Sequence, residues 1–142
     1  MTTMTALDTN IVIDLGAGTS LAADAALRAI ESASRNSGVV ICAAVYAELR
    51  ASPAVHRNDI DEVLRLSGIA IDTALALDVW AHAGVAFGAY ACRRKASGAG
   101  IPRRILADFL IGAHAYAVGS LVTRDAAFYR RAFPELRVVE VR

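Results

Sequence analysis

Cysteine is nearly absent from this sequence. Cys42 and Cys92 are its only two among 142 residues, too few and too isolated for a disulfide framework or a thiolate zinc site. Proline occurs three times, and Lys95 is the sole lysine. No segment combines low hydrophobicity with high net charge, so no disordered arm is expected. Long hydrophobic runs are missing as well. The longest uncharged stretches, Val79 to Cys92 and Phe109 to Thr123, fall short of the roughly 18 apolar residues that a spanning helix requires, and both contain His, Gly or Ser. The opening MTTMTALD has no basic n-region and meets an acid at once, unlike a secretory signal. A cytoplasmic, reducing setting without membrane attachment is the expectation. The net charge of +1 excludes a strong whole-molecule field for nucleic acid.

What is present is apolar: 56% of the residues are hydrophobic, giving a mean hydropathy of +0.43. That composition and length suit one domain spanning residues 1–142. Short runs rich in β-branched residues alternate with helical patterns. Strands are expected at Met4 to Asp8, Gly38 to Cys42, Ile69 to Ile71, Leu121 to Thr123 and Arg137 to Val141. Helices are expected at Ile11 to Leu15, stopped by Gly16 and Gly18, and from Leu21 to about Arg35 with Ser20 as N-cap. Others cover Ala43 to Ala51, Asn58 or Asp59 to about Gly68, and Asp72 or Thr73 to about Lys95. After the SGAGIP loop a helix runs from Arg104 or Leu106 to Val118, and a short one from Asp125 to Ala132. The alternation predicts an α/β fold with three layers, helices covering both faces of a mostly parallel sheet. Ligands of such sheets sit at the carboxyl ends of the strands, where strand order reverses.

Acids gather at that end. Asp8 closes the first strand; Glu48 lies inside the apolar AAVYAELRA; Asp108 interrupts ILADFLIGAHA; Asp125 follows the strand LVT after Arg124. A helix start tolerates an acid through its dipole, which gives Asp125 and partly Asp108 an ordinary explanation. Glu48 has none. If the four converge, each opposes ionisation of the others, and a divalent cation would relieve the repulsion. Oxygen ligands without clustered Cys or His favour Mg²⁺ or Mn²⁺.

The segments LDTNIVIDL, VYAELRA, ILADFLIGAHA and LVTRDAAFYRRAFPELRVV resemble, in order and spacing, the motifs of PIN-domain ribonucleases, and of VapC-type toxins in particular. The resemblance covers essentially the whole chain. It implies a PIN-like α/β/α fold and Mg²⁺- or Mn²⁺-dependent cleavage of RNA phosphodiester bonds. Asp8, Glu48, Asp108 and Asp125 would form the catalytic, metal-binding cluster, with Asp8 and Asp108 as the foremost ligands. Thr123 matches a supporting hydroxyl beside the last acid. Thr9 and Asn10 match the turn after the first, with Asn10 orienting ligands or capping the next helix. The implied partners are a cognate VapB-type antitoxin, a structured RNA of the tRNA or rRNA class, and a second copy of the chain in a homodimer. A catalytically inactive PIN scaffold that binds RNA or protein is the alternative.

Arg93, Arg94, Lys95, Arg103 and Arg104 flank the segment leading to Asp108. A solvated helix end is the plain account of such a run; beside an acidic crevice it would instead hold RNA phosphates. Trp80, Tyr90, Tyr116 and Phe128 are assigned to core or interface. His56, His82 and His114 are scattered and receive no catalytic role, His114 being expected as a hydrogen-bonded core residue. Asp14, Asp72 and Asp78 are assigned to helix surfaces or caps. An aspartyl phosphatase would need a second acid where Asn10 stands, and a receiver domain would need a later lysine.

Overall fold

The computed structural model describes residues 3–16, 20–53 and 60–142. Among them, five strands form one sheet in the order β3-β2-β1-β4-β5. These are β1 (Met4–Leu7), β2 (Gly38–Cys42), β3 (Ile69–Asp72), β4 (Gly119–Thr123) and β5 (Arg137–Glu140). All four pairings are parallel, so the sheet is wholly rather than mostly parallel. Burial explains the composition of its centre. β1 and β2 are mostly buried and, but for Thr5, apolar, whereas the edge strand β5 is mostly exposed and has a charge at each end.

Among the described residues seven helices connect the strands: α1 (Thr9–Gly16), α2 (Leu21–Asn36), α3 (Ala43–Ala51), α4 (Ile60–Leu66), α5 (Leu77–Ala96), α6 (Leu106–Val118) and α7 (Ala126–Ala132). Ser20 caps α2 as expected, its hydroxyl accepting from Ala23 N at 3.0 Å. Helix α6 packs on β1 and β4 and against α5 and α7. It is almost wholly apolar, with Phe109 to Ala115 buried in sequence. Phe87 stacks on Phe109 with centroids 4.7 Å apart, and Tyr90 and Phe128 tilt onto the same ring. The chain winds outward from β1 through β2 to β3, then returns to β4 on the other side of β1. That reversal puts the switch point between β1 and β4, at the end of Asp8.

Several boundaries differ from expectation by a residue or more, α1 among them with its start at Thr9. The long helix begins at Leu77, because Asp72 ends β3 and spends its carboxylate elsewhere. Oδ1 accepts from Ala74 N at 3.2 Å and Oδ2 meets His114 Nε2 at 3.1 Å. β4 begins two residues early at Gly119, whose φ of 150° and close approach to the Met4 carbonyl leave no room for a side chain. α7 begins at Ala126, with Asp125 flanking it. Gly18, His56 and the start expected at Asn58 or Asp59 lie outside the described residues. No helix among the described residues is long and apolar enough to cross a membrane.

Candidate active site

The register of β1 against β4 pairs Leu7 with Val122, and Asp8 N continues the ladder by donating to Val122 O at 3.0 Å. Asp8 therefore comes level with Thr123, at the first residue beyond the strand and just ahead of α1. Its carboxylate is buried and held by donors on both oxygens. Oδ1 accepts from Thr9 N at 2.7 Å; Oδ2 accepts from Thr123 Oγ1 at 2.7 Å and Asn10 Nδ2 at 3.2 Å. Burial pushes its pKa up, and the Asp108 charge adds to that; the Thr123 and Thr9 bonds oppose without reversing it.

Thr9 and Asn10 belong to the first turn of α1, so neither caps it. Thr9 Oγ1 donates to Glu48 Oε1 at 2.7 Å, bringing α3 to the site. Asn10 orients Asp8 with its amide nitrogen, while its oxygen accepts from Arg124 N at 3.3 Å. Glu48, half-buried on α3, is also raised, by burial first and then by the Asp108 and Asp8 charges.

Asp108 stands in the first turn of α6 and accepts from Ile105 N at 3.2 Å. Burial raises its pKa, Asp125 raises it further, and Arg104 works against both. Asp108 thus interacts electrostatically with each of Asp8, Glu48 and Asp125. Asp125 follows β4, its N–H donating to Thr123 Oγ1 at 2.9 Å. The Thr123 hydroxyl accepts there and donates to Asp8, joining two acids through one oxygen. The predicted acids and their supporting residues are therefore brought together.

The basic residues are not. Arg94 points inward to its own loop, Nε donating to Ile101 O at 2.9 Å and Nη2 to Ala99 O at 2.7 Å. Arg93 and Arg131 line a hollow of about 230 Å³ with Tyr90 and Phe128. Lys95 and Arg103 are exposed. Among the described residues, Arg104 alone of the five ion-pairs with a site acid: Nη2 lies 2.6 Å from Asp125 Oδ2, with the guanidinium 4.0 Å above the Phe128 ring.

Two residues are additions to the sequence reading. Tyr129 is buried beneath the cluster, and burial plus the Asp8 and Asp108 charges keep its phenol protonated. Asp14 is buried rather than on a helix surface, with Arg124 Nε 2.9 Å from its Oδ2. That contact has ion-pair distance without hydrogen-bond alignment. Tyr129 gave no signal beyond its nearness to Asp125, and Asp14 none at all. His114 is the buried, hydrogen-bonded residue expected; burial holds its pKa down against Asp72. Asp78 is an exposed acid in the first turn of α5.

Hard oxygens from four carboxylates, repelling one another in a half-buried crevice, suit a divalent cation of the Mg²⁺ or Mn²⁺ kind. No three His, Cys, Asp or Glu side chains among the described residues already converge as a metal cage. The Arg104 guanidinium supplies positive charge at Asp125 instead.

Comparison with curated proteins finds no match. Among solved structures, a chain in the crystal structure of VapBC2 from Rickettsia felis, bound to a DNA fragment from their promoter, superposes with a TM-score of 0.62. It is 23% identical, over 98% of this chain and 99% of that one. A chain of VapBC-1 from nontypeable Haemophilus influenzae gives a TM-score of 0.60 at 19% identity, over 96% and 97%. At these identities the likeness is one of fold. The sequence itself matches the PIN domain family over residues 5–134, which takes in β1 to α7 and all four acids. The chain belongs to the PIN-domain family.

Proposed function

We propose that this protein is a divalent-metal-dependent endoribonuclease, the toxin of a VapBC-type module restrained by a cognate VapB-type antitoxin. The observation that carries this is the placement of Asp108, whose charge bears on Asp8 and Glu48 and which itself feels the charge of Asp125. Opposed carboxylates have little structural use, and the pKa values of Asp8, Glu48 and Asp108 are raised as a functional crevice would raise them.

Asp8 and Asp108 would be the main ligands of Mg²⁺ or Mn²⁺, with Glu48 and Asp125 beside them. A bound ion would polarise a phosphoryl oxygen and make water a better nucleophile. The chain's own residues hold the geometry. Thr123 and Asn10 fix the face of Asp8, Thr9 ties Glu48 to it, and the buried Tyr129 hydrogen-bonds to Asp8. The family assignment supports a nuclease, and the two structural neighbours, as VapBC proteins, support an antitoxin partner. Structured RNA is the substrate class proposed, in the cytoplasm. Helix α5 exposes Leu77, Trp80 and Val85, an apolar face suited to a homodimer.

The binding-only scaffold is favoured by one observation, the Arg104–Asp125 pair standing where a cation would be needed. One experiment separates the two. Purified, antitoxin-free protein is incubated with labelled total RNA in Mg²⁺, Mn²⁺ or EDTA, beside Asp108→Asn. Discrete fragments that require metal and disappear in the variant are expected. Intact RNA from folded protein under every condition would leave the scaffold reading in possession.

A further inference from the structure

We propose that Arg104 is an internal counter-cation of the acidic site, which competes with the divalent ion for Asp125 and, once released, serves a substrate phosphate. The proposal rests on the nuclease reading above. It goes further by coupling metal entry and RNA binding through one side chain.

Geometry carries it. Arg104 reaches Asp125 Oδ2 at 2.6 Å, and both side chains keep about a third of their surface in solvent. The pair is therefore reachable and exchangeable, not a sealed core contact. The guanidinium lies over Phe128, 4.0 Å from the centroid, close enough to be retained there by cation–π attraction when the carboxylate is withdrawn. Phe128 in turn is braced by Phe109, Tyr90 and Tyr129, so the platform does not move with its passenger. Arg104 also precedes Asp108 on the approach to α6, and its charge bears on that acid too. A freed guanidinium presents the planar fork that matches phosphate oxygens. Arg94 cannot do the same, since its fork is used by the Ala99 and Ile101 carbonyls.

The test reads metal and RNA separately. Free Mn²⁺ is counted by electron paramagnetic resonance with wild type, Arg104→Met, Arg104→Gln, Arg104→Lys and Asp108→Asn, each checked for folding by circular dichroism. Binding of a fluorescent single-stranded oligoribonucleotide is followed by anisotropy in the presence of Ca²⁺ to suppress cutting. Arg104→Met and Arg104→Gln should bind Mn²⁺ about five-fold tighter, the lower end of ordinary site coupling, yet bind the oligonucleotide more weakly. Arg104→Lys should stay near wild type in Mn²⁺ affinity. Opposite signs for the two ligands are the signature. Unchanged or weaker Mn²⁺ binding by both neutral variants, with binding lost in Asp108→Asn, would overturn the proposal and leave the nuclease reading standing. Mn²⁺ binding by no form of the protein would remove both.

Discussion

The Thr123 hydroxyl lies 2.7 Å from Asp8 Oδ2 across a sequence separation of 115 residues, and it is fully buried. Replacing it with the near-isosteric valine deletes a donor to Asp8 and an acceptor for Asp125 N–H at once. Thr123→Val is expected to destabilise the protein by about 1–3 kcal/mol, the range for leaving buried partners unsatisfied. RNA cleavage should fall more than stability explains, and Thr123→Ser should restore most of both. Urea unfolding alongside the cleavage assay checks this.

Asp8, Glu48 and Asp108 all keep their protons to higher pH than ordinary carboxylates. The folded protein then binds more protons than the unfolded chain. Their stabilising contribution is complete below the ordinary carboxylate range and is lost as pH rises through the raised values. In EDTA, these groups should therefore make the urea midpoint fall as pH climbs from about 4 toward neutrality. Asp108→Asn should lessen that fall, because it removes one raised acid and a charge that adds to the effect of burial on the other two. A variant curve parallel to wild type would show that the acids do not act on one another. His114 has the opposite sign. Its lowered pKa contributes stability above the ordinary histidine value that is lost as pH falls through the folded one, so His114→Gln should weaken any acid-side loss.

Arg124 neutralises the buried Asp14 carboxylate and carries the backbone that follows β4. Arg124→Leu alone strands a charge and is expected to cost several kcal/mol, on the order of 3. The double change Asp14→Leu with Arg124→Leu should recover much of that loss in the same unfolding measurement. Additive losses would mean the pair contributes nothing together.

Arg93 and Arg131 face the hollow beside Phe128, whereas Arg94 holds its loop. Arg93→Gln and Arg131→Gln should weaken RNA binding, each flattening the salt slope by about 0.7 per lost phosphate contact for a single strand. Arg94→Gln should instead lower the melting temperature. Anisotropy titrations at several salt concentrations distinguish these outcomes.

The strands and most helices were legible because their signals are local: the β-branched run at Gly38–Cys42 and the Ser20 cap. The start of α5 was not. Asp72 looks like a cap in sequence, but its partner is His114, 42 positions away. The acids stood out because Asp8 and Asp125 follow strands while Glu48 and Asp108 interrupt apolar helices. Asp14 fits an ordinary helix surface in sequence, and only the return of β4 beside β1 brings Arg124 to it. The basic segment shows the same limit. Five positive charges look alike in sequence, yet one staples a loop, one neutralises Asp125 and one lines a hollow.

The placement of β1 at the middle of the sheet also sets an order of events during synthesis. β1 can pair with β2 early, through Met4 and Gly38, but its other edge waits for β4. Until Thr123 and Asp125 have been made, Asp8 has no hydroxyl to fix it and Asp108 lacks its neighbour. A growing chain thus carries its first acid from the outset without an assembled centre. The proposed ribonuclease activity would therefore not arise before β4 has been made, which would spare the RNA of the translating ribosome up to that point.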